Sequence, residues 1–136
     1  MSKNQYKIDK INWCSAKNEI INPYSEVERL ETMLACCYKV VQSSFHHLPI
    51  RYIIDPPHHL FDAMLARQIA IHILHYQFQV PRRRIVAIQA RQRTSISLSL
   101  QVINRRLAEP TFTKSYHKWA KRAEDLFLQE IRKAAA

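Results

Sequence analysis

A chain of 136 residues without a single glycine has few ways to turn. Tight β-hairpins recruit glycine because it accepts positive φ without steric cost. A chain that lacks it is best served by helices joined through short turns. The same absence removes the phosphate-cradling loops of the Walker and dinucleotide-binding types, where the backbone must approach the ligand closely. The expected fold class is therefore all-α, a small helical bundle, with no nucleotide bound through such loops.

A second constraint is the placement of charge. From Ala63 to Ala108 there is no Asp or Glu. Inside that span, residues 80–107 (VPRRRIVAIQARQRTSISLSLQVINRRL) carry seven arginines. The net charge of +10 and pI near 9.9 point to a polyanion, either nucleic acid or an anionic membrane. All nine lysines lie at or before Lys39 or at or after Lys114, so arginine is the fixed cation of the middle. Its planar fork pairs bidentately with phosphate and with guanine edges. Ordinary helix surfaces mix signs, so this distribution favours recognition over solubility alone.

The remaining signals bound the partner. No apolar run approaches the ~20 residues needed to span a bilayer. The opening MSKNQYKIDKINW has no apolar core of the secretory type. Cys14, Cys36 and Cys37 show no paired metal spacing and read as reduced, packed thiols. The expectation is a cytoplasmic, nucleoid-associated protein without cofactor, metal or membrane partner.

Residues 1–22 lack a clear period and read as a flexible N-terminal arm, with Trp13, or Ile20 and Ile21, docking on the body. Residues 23–136 read as one helical domain. Ser25 with Glu28 fits a capping box that opens a helix through about Ser44. Its apolar stripe is Val27, Leu30, Met33, Leu34, Cys37, Val40 and Val41. Pro49, Pro56 and Pro57 then break regular structure, and Arg51–Ile54 reads as a short extended piece. The pairs His46-His47 and His58-His59 lack partners at zinc-site spacing and read as loop residues. Leu60–Phe78 reads as the central helix, with Phe61, Met64, Leu65, Gln68, Ile69, Ile71, His72, Leu74 and Phe78 on its buried face. Pro81 opens a short helix over Arg82–Ile88, Gln89–Gln92 turn, and a second helix runs from Arg93 to about Ala108. This predicts a helix-turn-helix at about 81–108. Pro110 starts a last amphipathic helix.

On the second helix Ile96, Leu100, Ile103 and Leu107 recur at four, three and four, which marks the core face. Opposite lie Thr94, Ser97, Leu98, Gln101 and Arg105, donors and acceptors suited to base edges in a major groove. Arg93, Thr94 and Ser95, at the helix start, would enter that groove first. Arg67, Arg82, Arg83, Arg84 and Arg91 would contact phosphates, while Ser97, Gln101 and Arg105 could add groove contacts. No nucleophile, base and orienting group form a catalytic pattern, so no enzyme is expected.

Three stretches resemble the C-terminal DNA-binding domain of the bacterial replication initiator DnaA, as carried by short stand-alone alphaproteobacterial proteins. ARQIAIHIL at 66–74 resembles the central helix, RQRTSIS at 91–97 the signature, and RRLAEPTF at 105–112 the helix end and following turn. The resemblance implies a helical bundle of the Trp-repressor type. It places base reading on Gln92, Arg93, Thr94 and Ser95. Gln92 stands where the family has an aspartate, Gln89-Ala90 replaces a glycine turn, and Leu65 occupies the position of a minor-groove arginine. The implied function is sequence-selective binding of double-stranded DNA in transcription or replication, without ATPase activity. Two other readings remain: a basic face for an acidic protein partner, and RNA binding. No aromatic residue lies between Phe78 and Phe112 to stack on bases, which disfavours RNA.

Overall fold

The structure, a computed structural model, describes residues 21–89 and 93–135; the side chains of Arg93 and Thr94 lie outside that description. The described residues form six α-helices and no strand. They are α1 (Glu26–Gln42), α2 (Ile50–Ile54), α3 (Phe61–Tyr76), α4 (Arg82–Gln89), α5 (Arg93–Arg106) and α6 (Pro110–Ala135). Residues 1–20, most of the expected arm, fall outside the description. Ile21 is buried.

Helix α1 begins at Ser25, whose Oγ accepts the Glu28 amide proton at 3.3 Å. Only half of the expected capping box forms. The Ser25 amide donates to the Asn22 carbonyl instead, at 3.1 Å. Leu34, Cys37, Tyr38, Val40 and Val41 point inward and are sealed from solvent. Val27, in the first turn, is 54% exposed, so it is not on the buried stripe. Burial pushes the Cys36 thiol up to about 12 and also raises the Cys37 thiol well above its ordinary value, so both behave as apolar groups.

Between α1 and α3 the expected extended piece is a helix instead. Pro49, with φ −62°, presets the first turn of α2, and Asp55 before Pro56 leaves the helical region at φ −136°. The single turn is held by burial of Ile53 and Ile54 rather than by propensity.

Helix α3 is the centre of the core. Ala63, Ala66, Ile69, Ala70, Ile71, Ile73 and Leu74 are all fully buried. Of the expected face, Ile69, Ile71, His72 and Leu74 are buried, and the three alanines add close contacts that side-chain size does not announce. Phe61, at 66% exposure, and Met64, at 41%, face outward. Beyond α3 the chain reverses through Gln79, which takes φ +57°. A side chain there costs about 1–2 kcal/mol that glycine avoids, offset by glycine's greater chain entropy. Gln79→Gly should therefore raise stability by about 0.5–1 kcal/mol, read as a higher urea midpoint. An unchanged or lower midpoint would contradict this account of the turn.

Helices α4 and α5 pack on each other and on α3. Ile85, Ile88, Ile96, Leu100 and Ile103 join the same core, as the four-three spacing requires. Thr113 Oγ1 donates to the Leu107 carbonyl at 2.7 Å and braces the turn into α6. At 26 residues, α6 is about 39 Å long and closes the bundle along α1. Trp119 Nε1 donates to Ser44 Oγ at 2.8 Å there. Among the described residues, no helix is long and apolar enough to cross a membrane.

Candidate nucleic-acid interface

The short α4 is held at both ends. At its start Arg84 Nη1 meets the Glu26 carboxylate at 2.5 Å, both side chains about half exposed. Such a surface pair is worth about 0–1 kcal/mol, so it orients the guanidinium more than it stabilises the fold. At its end the buried Tyr38 hydroxyl of α1 donates to Gln89 Oε1 at 2.7 Å. Ahead of Arg84, Arg82 and Arg83 stand exposed. Of these three arginines, all expected on phosphates, the structure leaves Arg82 and Arg83 exposed and ties Arg84 to Glu26 of α1.

On α5 the core face is occupied by Ile96, Leu100 and Ile103. Away from it Gln101 and Arg105 are exposed and Ser97 is half-buried. Leu98 joins them at 56% exposure, which decides that it is a surface residue and not a flank of the core. Ser99 turns inward, and its Oγ donates to the Ser95 carbonyl at 2.9 Å. Arg91 and Gln92 lie outside the described residues. Arg93 and Thr94 open α5 as backbone.

No match to this chain is found among family models, curated proteins or solved structures.

Two positions differ from their simplest reading. Arg67 is only 4% exposed and lines a cleft between α3 and α5 that Pro56 and His58 also line. Ser95 is half-buried and lines the same cleft. Arg106, which the sequence reading left without a role, lies 6.0 Å from the centroid of the exposed Phe61 ring. That distance allows a cation–π contact, worth about 0.5–1 kcal/mol at such a site. Spacing alone gives no sign of it, since the two residues lie on different helices.

Beside α5 a partly buried polar cluster ties it to α3 and α6. His72 Nε2 pairs with Asn104 Oδ1 of α5 at 2.7 Å, and Nδ1 pairs with the Tyr116 hydroxyl of α6. The carboxamide oxygen can only accept, so Nε2 carries the proton and Nδ1 accepts from Tyr116. This is a neutral imidazole. Burial lowers the His72 pKa from its ordinary 6.5, against the smaller raising effect of Asn104, while nearby His75 lowers it further. Burial also raises the Tyr116 pKa.

The consequence for stability has a definite sign. Above pH 6.5 His72 is neutral in both the folded and the unfolded chain. As pH falls below that value, the unfolded chain takes up the proton first. Stability is then lost, by at most about 1.4 kcal/mol per pH unit, until the folded-state pKa is passed. Urea unfolding between pH 7.5 and 5 checks this, with His72→Gln as the comparison. If the variant shows the same pH slope as the parent, His72 is not its source.

Proposed function

We propose that the protein binds double-stranded DNA with sequence selectivity, through a helix-turn-helix made by α4 and α5, as a regulator of transcription or replication. The observation that carries this reading is the outer face of α5. It presents Ser97, Gln101 and Arg105 from a helix firmly seated by Ile96, Leu100 and Ile103, in a stretch with no carboxylate. An amide, a hydroxyl and a guanidinium on one face suit base edges. Arg82 and Arg83 on α4 suit flanking phosphates, and the free amides at the start of α5 suit another. Arg93, Thr94, Ser95 and Gln92 are assigned to base reading, and Arg91 to phosphate. The sequence resemblance to the initiator's DNA-binding domain supports the same assignment.

The decisive experiment is a salt titration of binding to duplex DNA. Log affinity should fall linearly with log salt, with a slope of about 0.9 per phosphate contacted. A protein that ignores duplex DNA at low salt would overturn the reading. The exposed Leu98, beside Gln101 and Arg105, favours one other reading, a basic face that docks an acidic protein. In that case the chain would fail the DNA titration.

A further inference from the structure

The outer face of α5 is polar except near its centre. Ile96, Leu100 and Ile103 fix which side of the helix is buried. At about 100° per residue, the direction opposite to them falls between Leu98 and Arg105, with Gln101 beside them. All three are exposed, Leu98 to 56%. A leucine alone on a protein surface is ordinary. This one occupies the middle of the face assigned to the major groove, in a stretch with no carboxylate from Ala63 to Ala108. We propose that Leu98 reads thymine, through an apolar contact with the 5-methyl group of that base. The assignment rests on α5 being the DNA-reading helix, and it adds the identity of one base.

The chemistry of the groove narrows the choice to one base. Every base edge there offers donors or acceptors, and thymine alone adds an apolar group. A leucine side chain has no hydrogen-bonding atom. Against guanine, adenine or cytosine it would displace water from a donor or acceptor and give no hydrogen bond in return. Against the methyl group it removes apolar surface from water on both partners. The contact therefore discriminates twice, by its gain at thymine and by its cost elsewhere. The side chain is also held in place. Helix α5 cannot roll Leu98 inward without bringing Ile96, Leu100 or Ile103 out to water. Ser99, the next residue, turns inward and donates to the Ser95 carbonyl at 2.9 Å. Leu98 lies one turn beyond Thr94, about 6 Å along α5 at a rise of about 1.5 Å per residue. Bases on one strand are about 3.4 Å apart. The thymine is therefore expected within about two base pairs of the base that the start of α5 contacts.

The test starts from the duplex that the full chain selects from a random library. Each thymine of that duplex is replaced in turn by uracil, which removes the methyl group and keeps every hydrogen-bonding atom. At one thymine the replacement should weaken binding about fourfold, the transfer value of one methyl group. Leu98→Ala should bind the thymine and uracil duplexes alike. Its urea midpoint should stay at the parent value, because the change is on the surface. The ratio of the two affinities does not depend on the folded fraction, so it decides even if the midpoint moves. Gln101→Ala, on the same face, should keep the thymine-to-uracil ratio while its affinity for both duplexes falls. The assignment alone is overturned, with DNA binding intact, by a selected duplex that lacks thymine or by a uracil series with no change beyond about twofold. A uracil penalty that persists in Leu98→Ala, or a ratio that Gln101→Ala also abolishes, overturns it equally. Failure to bind any duplex at low salt overturns the DNA reading and this assignment together.

Discussion

Arg93→Ala is expected to flatten the preference among duplex sequences by about 1–3 kcal/mol, while Arg83→Ala weakens binding to all of them alike. The contrast follows from position. Arg93 opens α5, the helix proposed to read bases. Arg83 stands exposed on α4, where the proposed contact is a phosphate, which carries no sequence information. The Arg83 variant should also lower the salt slope by about one phosphate's worth, near 0.9, so the two effects separate in one set of titrations. An Arg93 variant that keeps its sequence preference would move base reading away from the start of α5.

Leu100→Ala should cost about 2–5 kcal/mol of stability, the largest effect expected of a single side chain on α5. Leu100 is 1% exposed and sits between Ile96 and Ile103 in the common core. Truncation leaves a void that surrounding helices cannot fill without moving α5 off α3. Urea unfolding gives the loss directly. DNA binding by the folded fraction should keep its sequence preference, since no base-reading group is removed. A loss below about 0.5 kcal/mol, the range of surface substitutions, would mean that α5 is not seated as described.

Much of this architecture was legible because amphipathic helices announce themselves. The stripe Leu34, Cys37 and Val41 and the stripe Ile96, Leu100 and Ile103 both mark buried faces. The missing glycine pointed to helices, and helices are what the described residues form. Two departures have separate physical causes. On α3 apolar residues lie all round, so periodicity cannot choose a side, and the choice fell on bulk when alanine was filling the tightest contacts. At Arg51–Ile54 three surrounding prolines suggested extension, but one proline at a helix start favours a turn. The candidate site was legible in its charge and in the outer face of α5. Its long-range contacts were not. Glu26 with Arg84, Phe61 with Arg106 and His72 with Asn104 each join separate helices, and no local rule links such pairs.

The Tyr38–Gln89 hydrogen bond divides the labour along the chain. Gln89 is pinned from α1, and the core resumes at Ile96. The seat of α5 therefore rests on the core side chains Ile96, Leu100 and Ile103, and is independent of the hydrogen bond that holds the end of α4.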